Sequence, residues 1–185
     1  MNLKVGILGG GSWGTTVASL VAKNADATIW ARNAETVTEI NEHHTNEKYL
    51  PKAKLTSSLK AAYTIEDAVK NADVIVMGIP SQQFRNVLEQ AKEHIRPWVP
   101  IVSLAKGLEI STKKRMTEVI EEIMPGHPAG VLTGPNLAKE IHFGKAAAAV
   151  IAMVDETIAT KLKAVFTSGL FRVYTNTDVI GCELG

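Results

Sequence analysis

The most constraining stretch of this chain lies at its start. Residues 3–8 are a short, mostly apolar run that ends in Gly-x-Gly-x-x-Gly, with the glycines at Gly9, Gly11 and Gly14. Trp13, Val17, Leu20 and Val21 follow at helical spacing. Strand, glycine turn and helix in that order form the phosphate grip of a dinucleotide site. Gly9 suits the tight turn, Gly11 lacks the Cβ that would keep a pyrophosphate off the backbone, and Gly14 lets the helix approach the strand. The helix N-terminus adds free N–H groups and a partial positive charge.

The rest of the chain alternates between strand-like and helix-like segments. Strands are predicted over residues 27–31, 73–78, 99–104, 131–133, 147–153 and 171–175, and helices over 34–44, 82–95, 111–124 and 156–167. Thr64 and Asp67 have the spacing of a helix cap and its third residue, so a short helix is expected through Asn71. A brief helix is expected from Asn136, and residues 45–63 read as a long loop. The strands are short, apolar and mostly non-alternating, which suits strands buried on both faces. The expected class is therefore α/β: a doubly wound, mostly parallel Rossmann-type sheet with helices on both faces.

Composition narrows the function. With 20 basic and 19 acidic residues the net charge is +1, which gives no electrostatic case for nucleic acid or an anionic membrane. No apolar run is long enough for a membrane span, and the chain opens straight into a strand, so neither membrane insertion nor a signal peptide is expected. The single cysteine, Cys182, reads as a small core residue and allows no internal disulfide. His43 and His44 are adjacent on a helix and point apart, and no metal-ligand spacing is present. A cytoplasmic location is expected.

In an open parallel sheet, ligands sit at the carboxyl ends of the strands. The strand ends here deliver the glycine turn, then Arg32-Asn33, Gly78-Ile79-Pro80-Ser81, Ala105-Lys106-Gly107 and Gly134-Pro135-Asn136-Leu137-Ala138. Arg32 stands where a strict NAD site has an acidic residue, and Asp26 is at the wrong end of its strand. A guanidinium pairs with a 2′-phosphate, so NADP(H) is favoured and NAD(H) allowed. Lys106 suits a substrate phosphate or a polarised carbonyl, and equally an ordinary surface position. Asn136 offers amide donors or a plain helix cap, and Trp13 suits either the core or the edge of a cofactor. Glu121-Glu122 and Lys113-Lys114-Arg115 read as solvated helix faces.

Thr177-Asp178 opens a last helix with Val179, Ile180 and Leu184 on it. If that helix begins another domain, these side chains lack partners here, and the patch would favour a homodimer.

Taken in order, the motifs resemble the bacterial-type NAD(P)-dependent glycerol-3-phosphate dehydrogenases. They are Gly9-Gly10-Gly11-Ser12-Trp13-Gly14-Thr15-Thr16, Trp30-Ala31-Arg32, Asn46-Glu47-Lys48-Tyr49-Leu50-Pro51, Pro80-Ser81, Ser103-Leu104-Ala105-Lys106-Gly107-Leu108-Glu109, Thr133-Gly134-Pro135-Asn136-Leu137-Ala138 and the stretch from Phe171 to Gly185. The resemblance implies reduction of dihydroxyacetone phosphate to sn-glycerol 3-phosphate for phospholipid synthesis. It implies cofactor contacts at Ser12, Trp13, Arg32, Tyr49, Lys106 and Ala138, beside the glycines, and substrate contacts at Lys106, Gly134 and Asn136. Many members carry Ser or Thr at the Asn136 position. The family's catalytic lysine follows in a Gly-Ala-Leu-Lys-Asn type segment beyond Gly185, so no catalytic residue and no metal is expected in this chain. Residues 1–176 are thus expected to form the dinucleotide-binding domain, and 177–185 to begin a helical substrate domain, leaving the fragment inactive alone. A non-catalytic NADP(H) sensor and another β-hydroxyacid-type dehydrogenase are the alternative readings.

Overall fold

Val74-Ile75-Val76-Met77 has no polar side, and all four residues are buried. Such a strand is stable only at the centre of a sheet with helices on both faces. That is its place in the computed structural model, which describes residues 3–185. The strands are β1 (Lys4–Leu8), β2 (Asp26–Trp30), β3 (Lys60–Ala62), β4 (Val74–Met77), β5 (Ile101–Ser103), β6 (Ala129–Thr133), β7 (Ala147–Met153) and β8 (Phe171–Asn176). The α-helices are α1 (Ser12–Val21), α2 (Ala34–His43), α3 (Ile65–Val69), α4 (Ser81–Ala91), α5 (Met116–Ile123), α6 (Ala138–His142), α7 (Glu156–Phe166) and α8 (Val179–Leu184).

One eight-stranded sheet runs in the order β3-β2-β1-β4-β5-β6-β7-β8. The first six strands are mutually parallel, β7 is antiparallel to β6, and β8 is parallel to β7. Alternate side chains of β4 feed the two faces. Val74 and Val76 join the core under α1 and α7, whereas Ile75 and Met77 join the core under α3, α4 and α5. The doubly wound, mostly parallel α/β architecture is the expected one.

Four local expectations need correction. The loop over 45–63 contains the edge strand β3, a three-residue pairing with β2 too short to show a period. The helix expected over 111–124 begins only at Met116, because a tight loop precedes it: the Glu109 N–H donates to the Lys114 carbonyl at 2.9 Å, and Lys113 takes φ 61°. Arg115 therefore does not lie on a solvated helix face; its Nη1 donates to Glu183 at 3.1 Å. Finally, Val179 is not without partners. It is buried against Val131 and Ala152, with Cys182 half-buried beside them, while Ile180 and Leu184 face outward.

Local chemistry sets the helix starts. Asn33, Thr64, Asp155 and Asp178 each accept a backbone N–H from the first turn of α2, α3, α7 and α8. Among the described residues no helix is long and apolar enough to cross a membrane. No group of three or more His, Cys, Asp and Glu is placed to hold a metal ion among them.

Candidate functional site

From β1 the chain first builds outward to β2 and β3, then returns to lay β4 on the other side of β1. The reversal opens a crevice at the carboxyl ends of β1 and β4. A cleft of about 950 Å³ lies there. Its floor is backbone meeting backbone. Gly9 has φ 122°, a conformation that favours glycine, and a Cβ on it would strike the Gly78 carbonyl after β4. A Cβ on Gly14 would strike the Gly9 carbonyl oxygen. Helix α1 therefore rests directly on the turn from which it springs.

Gly11 differs from both. A Cβ built there meets nothing within 4 Å, and the residue lines the cleft. It is also the N-cap of α1, a helix with no side-chain cap and no acidic residue in its first turn. The N-terminal amides of α1 are thus left to the cleft, where they attract an anion.

The walls come from six segments. Trp13 both packs and lines: its ring meets Phe171 edge-on at 6.1 Å, and it faces the cleft. Arg32, at the end of β2, donates from Nη2 to Gln83 Oε1 at 3.0 Å across the mouth. Tyr49 sits on the 45–55 loop, where its carbonyl accepts the Ser12 hydroxyl at 2.7 Å. The Lys48 ammonium lies 5.4 Å from the Tyr49 ring centroid. Lys106, after β5, donates to the Gly134 carbonyl at 3.3 Å. Asn136 and Ala138 close the far end, and Asn136 Oδ1 is buried without a hydrogen-bond partner among the described residues.

Of the residues singled out from sequence, Gly9, Gly11, Ser12, Trp13, Gly14, Arg32, Tyr49, Lys106, Asn136 and Ala138 all line this cleft. Gly134 does not line it and reaches it only through the carbonyl that receives Lys106. Lys48 and Gln83 line it without having been singled out. Gln83 had a signal: it sits in the first turn of α4, which begins at the same rim as the strand end before it.

The electrostatics are one-sided. Among the described residues three cations, Arg32, Lys48 and Lys106, line the cleft, and no carboxylate does. On a chain with net charge +1 this is local concentration, not overall excess. An uncapped helix N-terminus, an open face at Gly11 and an orphaned buried acceptor at Asn136 fit a group with a pyrophosphate and hydroxyl donors. That is the chemistry of a nicotinamide dinucleotide.

Residues 4–159 match the family described as the N-terminus of NAD-dependent glycerol-3-phosphate dehydrogenase. The chain belongs to this family. It is 60% identical over 185 residues to glycerol-3-phosphate dehydrogenase [NAD(P)+] 2 of Sphingopyxis alaskensis, covering 100% of this chain and 56% of that one. Among solved structures, glycerol-3-phosphate dehydrogenase from Coxiella burnetii superposes with a TM-score of 0.91 at 29% identity, over 98% of this chain and 56% of the other. The Saccharomyces cerevisiae enzyme gives 0.88 at 30% identity, over 100% and 59%. The chain thus spans about half the length of the curated relatives it matches. The family is the one that the ordered motifs resemble, and these relatives are named as glycerol-3-phosphate dehydrogenases [NAD(P)+].

Proposed function

We propose that this chain is the dinucleotide-binding half of an enzyme that interconverts dihydroxyacetone phosphate and sn-glycerol 3-phosphate with NADPH or NADH. The observation that carries the reading is the lining of the cleft: three cations and no carboxylate around the uncapped N-terminus of α1. In this proposal Gly9, Gly11, Gly14 and the first amides of α1 receive the pyrophosphate. Ser12, Trp13, Tyr49 and Ala138 shape the site around the dinucleotide. Arg32 receives the 2′-phosphate of NADPH, and NADH is accepted without that contact.

At the other end of the cleft, Lys106, Gly134 and Asn136 form the part of the substrate site present here. The Lys106 ammonium offsets the substrate's phosphate charge, held in reach by the Gly134 carbonyl. The Asn136 Oδ1, without a partner among the described residues, accepts a hydrogen bond from a hydroxyl of substrate or ribose. A bound nicotinamide would supply the hydride to the carbonyl carbon in the reducing direction. The carbonyl π pair moves to oxygen, which must take a proton. Arg32, Tyr49 and Lys106 are assigned here to binding, and the proton donor is proposed to come from outside residues 1–185.

Residues 1–176 are accordingly read as the dinucleotide-binding unit and 177–185 as the lead into a substrate-binding unit, consistent with relatives of about twice this length. Cytoplasmic location and a homodimer through the outward Ile180 and Leu184 belong to the same reading. The test is titration with NADPH and NADH followed by tryptophan fluorescence, since Trp13 and Trp30 both line the cleft. We expect saturable binding of both and, without a second unit, dihydroxyacetone phosphate reduction far below the ordinary enzyme rate of about 10 per second. Absence of dinucleotide binding, or turnover at the ordinary rate, would overturn the reading.

A further inference from the structure

Asn46 is wholly buried, at 0% exposure, although it stands in a loop and does not line the cleft. A buried amide is costly unless its groups are hydrogen-bonded. Its Nδ2 donates twice, to the Gly10 carbonyl at 3.0 Å and to Thr15 Oγ1 at 3.0 Å. Its Oδ1 has no partner among the described residues. The position therefore uses the two donors and tolerates an orphaned acceptor. Asn46 also closes the turn that carries Lys48 and Tyr49, since its own carbonyl accepts the N–H groups of Tyr49 at 3.2 Å and Leu50 at 2.7 Å.

The bond to Gly10 bears on the site through peptide geometry. The described residues contain no cis peptide, so the carbonyl of Gly10 and the N–H of Gly11 point in opposite directions. Drawing the Gly10 oxygen inward to Asn46 turns the Gly11 N–H outward. That N–H donates to no group among the described residues, and Gly11 lines the cleft. A peptide between two glycines has no side chain to hold its plane, and it flips at little cost unless something outside clamps it.

We infer that Asn46 is the positioning residue of the phosphate grip, fixing the Gly10–Gly11 peptide so that the Gly11 N–H faces a pyrophosphate. The inference rests on the dinucleotide reading above. The bond from Ser12, the first residue of α1, to the Tyr49 carbonyl is a second stitch between this turn and the 45–55 loop. The glycine turn and the Tyr49 wall are thereby set together.

The experiment compares two probes: ADP-ribose, which has the pyrophosphate, and adenosine 2′-phosphate, which lacks it. Asn46→Ala is expected to weaken ADP-ribose about tenfold or more while leaving adenosine 2′-phosphate within about twofold. Thr15→Val removes the other acceptor of the same amide. It is expected to lower the melting temperature yet hold ADP-ribose affinity within about twofold. Equal losses for both probes in Asn46→Ala, or no loss for either, overturn the inference. If Asn46→Ala does not fold, Asn46→Ser carries the same comparison. In the wild-type chain the Gly11 amide NMR signal must move with ADP-ribose and not with adenosine 2′-phosphate; the reverse overturns it. Failure of the wild-type chain to bind ADP-ribose, NADPH or NADH would instead overturn the dinucleotide reading itself, and this inference with it.

Discussion

The carboxylate of Glu183, in the last helix, accepts the backbone N–H of Thr117 at 2.9 Å, in the first turn of α5. The same carboxylate takes the Thr117 hydroxyl at 2.5 Å and the Arg115 guanidinium at 3.1 Å. Its side chain is 2% exposed and that of Arg115 17%. Glu183 is thus a cap supplied to α5 from a helix 66 residues further along the chain. Its charge also suits that helix's N-terminus.

Removing that carboxylate leaves a half-buried guanidinium and an uncapped amide. We expect Glu183→Ala to cost about 2–3 kcal/mol, below the full loss for a buried pair because Arg115 keeps some solvent and its contact with Glu118. Glu183→Gln keeps an acceptor for the Thr117 amide and should lose less. Urea midpoints for the three proteins decide it. Equal stability of wild type and Glu183→Ala would show that α8 does not brace α5.

Arg32 is expected to set cofactor preference. Its guanidinium is the cation at the end of β2 and is held across the mouth by Gln83 at 3.0 Å. A charge-assisted contact to a 2′-phosphate contributes about 1.5–3 kcal/mol. Arg32→Asp should therefore weaken NADPH by about ten- to a hundredfold and NADH much less. Direct titration of both dinucleotides measures the ratio. Equal losses would remove Arg32 from the 2′-phosphate.

Much of this was legible in the sequence because the information is local. A continuous apolar run marks β4, helical periodicity marks the buried face of α4, and Thr64 and Asp67 announce α3. The rim residues follow because a parallel sheet delivers its strand ends to one side. What was not legible depends on partners far away. Nothing near Asn46 says that its amide holds Gly10, 36 residues back. Arg115 looks like one more residue of a basic run until Glu183 arrives. Lys60-Ala61-Ala62 carries no apolar alternation, and only its pairing with β2 makes it a strand.

The acid limb of stability should run through Glu109 and Glu122, which share Arg85. Arg85 reaches Glu109 at 2.9 and 3.0 Å, and Glu122 at 3.1 Å; Lys114 adds 2.6 Å to Glu122. The Arg85 guanidinium, then the Thr112 hydroxyl, holds Glu109 below the usual carboxylate range. Lys114, then Arg85, holds Glu122 at about 2. Both folded values lie below an unfolded glutamate's value of about 4.3, so the unfolded chain binds more protons in between. Their contribution is complete above that range and is lost as pH falls through the depressed values. We expect urea midpoints to fall between about pH 5 and about pH 2, and the fall to be shallower in the double variant Glu109→Gln, Glu122→Gln. An unchanged acid slope would assign acid sensitivity to other groups.

One substitution at two glycines of the same motif should separate folding from binding. Alanine at Gly14 places a Cβ against the Gly9 carbonyl, which is backbone and cannot swing aside. Overpacking of this kind costs about 1–3 kcal/mol, so Gly14→Ala should show a lowered urea midpoint. Alanine at Gly11 meets nothing within 4 Å, and φ −74° with ψ 177° suits any residue. Gly11→Ala should therefore fold with stability within about 1 kcal/mol of wild type, the residual loss being that of a poorer helix cap. Its methyl group, however, stands where a pyrophosphate would approach the α1 amides. ADP-ribose affinity should fall about tenfold or more in Gly11→Ala, measured beside its urea midpoint. A Gly11→Ala chain that binds like wild type would move the phosphate contact away from this turn.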